Sequence, residues 1–446
     1  MPASTANPPR IAVLADSDTR WKWGALTAAR IAPPMEAGPR PDPRVAPALD
    51  GFLLRGRATP TPRQLAEVGV RADSLREVTA VEFLDAVART SYDIVVLALV
   101  GGGVQAVLHG LKRIAEVGGA RPVVVTGYVG VVYEKLADGL LLRHGADLVL
   151  ANSRQDAERF RAVYEGVGAD ASAVTEVALP FLGGAPYTGE HDPYTVVFAA
   201  QPSVPESRKD RAYLLERLVR HARLHPGREV LLKLRSKPGE HTTHIEELPY
   251  QKLARKLDTP PNFRLVYGNM GEVLDRTDLM VTVSSTAALE SLHRRIPTVV
   301  LTDLGVRETL GNHHFVGSGC LASWDQLDAG HRPVPDEEWV SRQGVASDGS
   351  YATAFDPARE RIAKLLARPG GPAPLTPYYT PATAPGYLPG ILARHHLAPD
   401  GSPLPGAPAA DKAPGPARQI VRRAARGAYR HGVQRVAPVI RRMGEL

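Results

Sequence analysis

The sequence predicts two successive parallel α/β domains, and three observations carry that expectation. Short β-rich apolar runs alternate with helical stretches in two series, polar or glycine-rich loops follow several of the strands, and the run Pro180–Gly189 separates the two series. The first series opens with a strand at Ile11–Ala15, a polar loop Asp16-Ser17-Asp18-Thr19-Arg20 and a helix at Trp23–Ile31. Pro33–Pro47 holds too many prolines for a helix or a central strand and reads as a long surface loop. Further strands are expected at Gly51–Leu54, Asp93–Ala98, Pro122–Thr126, Asp147–Ala151 and Thr175–Leu179. Helices are expected at Val81–Arg89, Val104–Val117, Tyr133–Arg143 and Arg154–Glu165.

The second series places strands at Tyr194–Ala200, Glu229–Leu234, Arg264–Val266, Asp278–Val283 and Thr298–Thr302. Its helices fall at Arg208–Leu224, Pro249–Leu257, Met270–Arg276 and Thr286–Arg294. Pro357–Ala367 reads as a closing helix, with Asp356 as N-cap and Pro357 at its first position. The expected division is a disordered terminus at 1–9, α/β domains at 10–182 and 190–367, a Pro-rich tether at 368–416 and an Arg-rich amphipathic tail at 417–446. Thirteen prolines between Pro369 and Pro416 give the tether its extended character, although Tyr378, Tyr379, Tyr387 and Leu388 offer it anchors.

The 446 residues carry a formal net charge of +7. All of it belongs to Asp411–Leu446, where eight Arg and one Lys face one Asp and one Glu, so the body before it is neutral. A neutral body argues against a nucleic-acid binder, and the basic segment 418–442 suits an anionic membrane surface or a solubilising tail. A single cysteine, Cys320, excludes an internal disulfide framework and a thiolate zinc cluster. No apolar run reaches the roughly 20 residues of a membrane span, and the start lacks the plan of a signal peptide, so the cytoplasm is the expected location.

Three stretches carry chemistry. In Ser284-Ser285-Thr286, a strand gives way to a helix whose start suits a phosphate, with Glu290 placed for ribose hydroxyls; simple helix capping explains the same residues. In Leu231–His244, a buried strand runs into Lys233, Arg235, Lys237, His241 and His244. If the strand continues, its three cations at alternating positions make a compact anion site; a solvated strand end is the alternative. The two histidines lack the further ligands of a structural metal site, and no metal is expected. In Asp16–Trp23, Asp16 or Asp18 can take a proton, while Arg20, Trp21 and Trp23 offer a cation and aromatic faces for an acceptor; capping and cleft packing explain the same loop. Gly101-Gly102-Gly103, Gly127-Tyr128 and Gln201-Pro202-Ser203 each follow a strand, which makes Gly102, Tyr128 and Gln201 candidates along one edge. Gly311-Asn312-His313-His314 is a similar loop.

This plan resembles the GT-B glycosyltransferases, two Rossmann-like domains facing a cleft. It looks most like the bacterial capsule, polysialic acid and CDP-glycerol transferases. In that group a basic strand-end loop and a later Ser-Ser or Ser-Thr helix start hold the donor phosphates, and Lys233–His244 and Ser284–Thr286 stand in the same order. The wording Lys-Leu-Arg-Ser-Lys-Pro-Gly-Glu-His-Thr-Thr-His and Leu-Gly-Asn-His-His-Phe is also similar to actinobacterial glycosyltransferase-like proteins of undefined substrate. The His-Pro pair of the relatives' loop is replaced by Arg235-Ser236-Lys237-Pro238, which leaves His241 or His244, or the cations alone, to act on the leaving phosphate.

The resemblance implies inverting, metal-independent transfer from a nucleotide-sugar donor to a glycan or lipid-linked acceptor, with no further cofactor. A nucleotide-sugar epimerase and a non-catalytic nucleotide-binding scaffold are the competing expectations on the same architecture.

Overall fold

The computed structural model describes residues 8–32, 48–56, 58–118, 121–131, 135–237, 240 and 248–407. Two parallel sheets organise them. The first contains β1 (Arg10–Ala15), β2 (Ala48–Leu54), β3 (Ser74–Val78), β4 (Ile94–Ala98), β5 (Val123–Gly127), β6 (Leu148–Ala151) and β7 (Val174–Glu176). Its helices are α1 (Asp18–Ile31), α2 (Pro62–Val68), α3 (Ala80–Arg89), α4 (Gly101–Gly118), α5 (Leu136–Leu141) and α6 (Arg154–Gly166), though α2 groups mostly with the second sheet. The strand order is β3-β2-β1-β4-β5-β6-β7, with every neighbouring pair parallel.

The second sheet contains β8 (Thr195–Ala199), β9 (Glu229–Lys233), β10 (Phe263–Val266), β11 (Leu279–Thr282), β12 (Thr298–Leu301) and β13 (Leu321–Ala322). Its order, β10-β9-β8-β11-β12-β13, repeats the logic of the first. Helices α7 (Arg208–Leu224), α8 (Tyr250–Ala254), α9 (Met270–Leu274), α10 (Ala287–His293), α11 (Trp324–Asp328) and α12 (Glu337–Arg342) accompany it. The chain then adds α13 (Asp356–Leu366) and α14 (Leu388–Arg394). The expected α/β architecture of two parallel sheets is therefore present.

The central strands are apolar throughout because helices cover both faces of a parallel sheet. β4 (Ile-Val-Val-Leu-Ala) and β8 (Thr-Val-Val-Phe-Ala) are buried at every position. Asp147 and Asp278 mark the opposite, amino-terminal edges. Asp147 takes two bonds from the Arg121 guanidinium at 2.7 and 2.8 Å and one from the Val124 amide. Asp278, fully buried, accepts from the His191 and Thr195 amides.

Several expectations need correction. α1 begins at Asp18, five residues before the expected Trp23, because Ser17 is its N-cap and accepts from the Arg20 amide. The helix expected at Tyr133–Arg143 is described only as Leu136–Leu141. β3 was not expected: it is an edge strand, Ser-Leu-Arg-Glu-Val, exposed at four of five positions, so it shows no apolar run. α13 groups with the first sheet, not the second, because Arg359 donates to the Arg30 carbonyl and Ile362 is fully buried there.

The largest correction concerns the Pro-rich tether. Residues 372–407 are not a tether: Leu375, Leu388, Leu392 and Leu397 lie in the hydrophobic core of the first unit, and α14 packs on α4. The prolines are compatible because this segment forms turns and one short helix, with Pro389 in its first turn. Among the described residues the first unit holds 8–32, 48–56, 58–60, 68–118, 121–131, 135–181 and 349–407, and the second holds 61–67, 182–237, 240 and 248–348. The expected loop at Pro33–Pro47, the terminus 1–7 and the Arg-rich tail fall outside the described residues. No helix among the described residues is long and apolar enough to cross a membrane.

Candidate functional site

In an open parallel sheet, the crevice for a ligand lies beyond the carboxyl ends of the strands where the strand order reverses. The reversals fall between β1 and β4 in the first sheet and between β8 and β11 in the second. A side chain bridges each one. Asp16, at the end of β1, accepts the Val100 amide at 2.9 Å from beyond β4. Gln201, after β8, accepts the Ser284 amide at 3.0 Å and donates to Ser284 Oγ at 3.2 Å beyond β11.

The second unit gathers the residues expected to hold a donor around that bridge. Ser284 Oγ donates to the Leu310 carbonyl at 2.5 Å. This links it to the Gly311–Phe315 turn, which Asn312 ties to β12 through the Leu301 carbonyl at 3.1 Å. Ser285 Oγ accepts the Ala287 amide at 3.3 Å and so does cap α10, whereas Thr286 makes no such bond. Glu290 lies in the first turn of α10 and is 7% exposed. Arg211, buried behind the loop after β8, donates to the carbonyls of Gln201, Pro202 and Pro205 and stacks on Tyr250 at 4.1 Å. That clamp fixes the loop carrying Gln201.

The cation stripe does not form as expected. β9 ends at Lys233, so the alternation that would aim Lys233, Arg235 and Lys237 to one side stops there. Lys233 is 6% exposed and its Nζ donates to the Leu234 carbonyl at 2.9 Å. Arg235 is half-buried, while Lys237 is exposed with its ammonium 5.7 Å from the Tyr267 ring centre. The Lys237 amide is held by Glu240 at 2.8 Å, and Glu240 in turn pairs with Arg63 of α2. His241 and His244 lie outside the described residues.

In the first unit, the acceptor platform expected at Trp21 and Trp23 is overturned. With α1 starting at Asp18, both indoles fall inside the helix and are 0% and 1% exposed. Gly51 and Gly127 make room for them: a Cβ on Gly51 would stand 2.6 Å from Trp21, and one on Gly127 would stand 2.9 Å from Trp23. Neither ring offers a face to a ligand. Arg20 is engaged with Asp16 at 2.9 Å, and Asp18 is the acidic residue of the helix's first turn. Gly102 is not a loop residue either. The glycine triplet opens α4, and a Cβ on Gly102 would meet Ile391 of α14 at 3.6 Å.

Tyr128 does sit at the strand ends, but as the cover of a buried cation that the sequence reading missed. Arg143 is 4% exposed and lies 4.0 Å from the Tyr128 ring centre. It donates to the carbonyls of Leu99, Gly127 and Gly139 at 3.1, 3.0 and 2.7 Å. Burial lowers the guanidinium's pKa and raises that of the Tyr128 hydroxyl. Asn152, after β6, donates to the Tyr128 and Gly130 carbonyls at 2.7 and 3.2 Å. These polar groups tie the ends of β4, β5 and β6 together. Arg143 gave no sequence signal beyond a basic residue at the end of an expected helix.

Two other groups bear on chemistry. Cys320 is buried and its thiol is pushed up to about 11, so it is no nucleophile at neutral pH. His221 on α7, His225 just after it and Asp328 on α11 cluster together. His221 Nδ1 lies 2.7 Å from Asp328, its Nε2 accepts from Arg228 at 3.3 Å, and Arg217 takes the second Asp328 oxygen at 3.2 Å. Both nitrogens of His221 are thus spent on joining the two helices.

Residues 11–365 match the model of the family described as "Putative glycosyltransferase (DUF6716)". No curated protein is detectably similar in sequence. Among solved structures, the chain is similar to MnaA of S. aureus in complex with UDP, at 13% identity and a TM-score of 0.48, over 80% of this chain and 95% of that one. It is also similar to the UDP-GlcNAc 2-epimerase of Neisseria meningitidis bound to UDP-GlcNAc (9% identity, TM-score 0.45, 80% and 100% covered). A third is the spinosyn rhamnosyltransferase SpnG (13% identity, TM-score 0.39, 82% and 97% covered).

Proposed function

Because the chain belongs to the family described as "Putative glycosyltransferase (DUF6716)", we propose that it moves a sugar from a nucleotide-activated donor to an acceptor hydroxyl. The donor binds the second unit and the acceptor the first. The observation that carries the placement is the Gln201–Ser284 bridge at the strand-order reversal, with Lys233 at the end of the adjacent sheet position, β9.

Lys233 and Arg235 supply positive charge for the donor phosphates, Ser284–Thr286 supplies hydroxyls, and Glu290 reaches the ribose. Transfer is inverting: the acceptor oxygen bonds to the anomeric carbon as the bond to phosphate breaks, and the cations stabilise the charge that develops on the departing nucleotide. The reading requires no metal. CMP-, CDP- and UDP-linked sugars are the donor classes open to this reading, and glycans or lipid-linked sugars are the acceptor class. The Arg-rich segment 418–442 would hold the enzyme at an anionic membrane where such acceptors lie.

A thermal-shift screen against CMP, CDP, UDP and GDP identifies the nucleotide, since a ligand of the folded state raises the melting temperature by mass action. Calorimetry on Lys233→Ala and Ser284→Ala then tests the site. At least a tenfold loss of affinity is expected in each, and unchanged affinity in both refutes the placement. Conversion of the donor sugar with no acceptor present would identify an epimerase instead.

A further inference from the structure

The C-terminal segment brings to the first unit a side chain that chain order hides. His395 follows α14, and its Cε1 lies 3.8 Å from where a Cβ on Gly103 would stand, just as Ile391 faces Gly102. Gly101–Gly103 open α4 directly after β4, and the preceding Val100 amide is the one held by Asp16. His395 therefore sits at the strand-order reversal of the first sheet, on the acceptor side.

Its surroundings differ from those of His109 and His144, two other histidines of this unit. His109 Nε2 is bonded to the Tyr379 carbonyl at 3.0 Å, and His144 packs edge-on against Tyr164 and Tyr378. His395 is half-buried, and neither ring nitrogen has a hydrogen-bond partner among the described residues. The charged groups facing it are Arg394 and His396 on its own segment and Asp16, the residue after β1. Burial, Arg394 and His396 favour the neutral ring, Asp16 favours the charged one, and the net direction is downward. At neutral pH the ring is free to accept a proton, and the Asp16 carboxylate stabilises the imidazolium that results.

We propose that His395 is the general base of the transfer, a role that rests on the glycosyltransferase reading above. The acceptor O–H gives its proton to a ring nitrogen of His395 while its oxygen bonds to the anomeric carbon. The carbon–oxygen bond to phosphate breaks, its electron pair leaves with the nucleotide, and the imidazolium returns its proton to water. Asp16 is the positioning residue: Arg20 and the Val100 amide fix its two oxygens, so its negative charge stays beside the ring.

The test uses the full-length protein, a panel of UDP-, CDP-, CMP- and GDP-linked sugars with simple glycan acceptors, and nucleotide release as the readout. His395→Gln is expected to lower kcat about 100-fold or more while nucleotide Kd stays unchanged. The wild type should lose kcat on acidification, along a limb that lies below the ordinary histidine range because burial, Arg394 and His396 disfavour the charged ring, and the variant should lack that limb. Added imidazole should restore part of the activity of His395→Ala, which separates loss of the base from loss of fold. If His395→Gln keeps kcat within threefold, or imidazole restores nothing to His395→Ala, the assignment is wrong while the glycosyltransferase reading stands. If the wild type releases nucleotide from no donor, both fall.

Discussion

Replacing Arg143 with Met should destabilise the first unit at the strand ends that carry its candidate site. The guanidinium donates to three carbonyls, of Leu99, Gly127 and Gly139, and covers the Tyr128 ring at 4.0 Å. Met fills much of the volume but donates nothing. Each buried carbonyl left without a donor costs about 1–3 kcal/mol. Relief from burying an unpaired cation offsets part of that sum. A net loss of about 2–4 kcal/mol is expected, together with lost stacking on Tyr128. Arg143→Lys should recover only part, because one ammonium cannot reach three carbonyls held by a planar fork. Urea unfolding followed by circular dichroism measures the loss, and hydrogen exchange at Val100 and Tyr128 shows whether it is local. A loss below about 1 kcal/mol, with unchanged exchange, would show that water or rearrangement satisfies these carbonyls and that Arg143 does not organise the strand ends.

Gly51→Ala should cost about 1–3 kcal/mol, because its Cβ would stand 2.6 Å from the buried Trp21 ring; adding Trp21→Phe should show favourable coupling in a double-mutant cycle. Ending the chain after Arg368 should lower stability by several kcal/mol in denaturant unfolding, since Leu375, Leu388, Leu392 and Leu397 leave the core. A neutral truncation would restore the tether reading. Acid should weaken the α7–α11 junction: burial holds His221 down to about 4, below its unfolded value near 6.5. Its neutral form therefore contributes stability that is present above about pH 6.5 and lost as pH falls toward 4, by about 1–3 kcal/mol. His221→Gln should flatten that limb of the stability curve, measured by thermal melts across pH.

The parallel α/β order was legible because it lives in local patterns. β4 and β8 are fully buried runs that open on three β-branched residues, and α7 and α13 announce themselves by Ser207 as N-cap and by Pro357 in the first turn. The Gln201–Ser284 pairing was partly legible too, since both residues follow strands and topology brings strand ends together. Where the reading failed, either a cap was placed differently or a long-range partner decided. Trp21 and Trp23 look like a platform until the Ser17 cap starts the helix early, and Gly51 and Gly127 hollow the sheet beneath them. The glycine triplet looks like a ligand loop until α14 arrives from the other end of the chain.

By itself the sequence determined two series of parallel α/β elements and the strand ends at which polar residues cluster, because periodicity and capping act over a few residues. It also assigned the whole net charge to the last segment. Only the tertiary structure decided which of those polar residues are spent on holding the fold. Arg143, Asn152 and His395 acquire their settings from carbonyls, rings and carboxylates contributed by distant segments, and no local pattern records such partners.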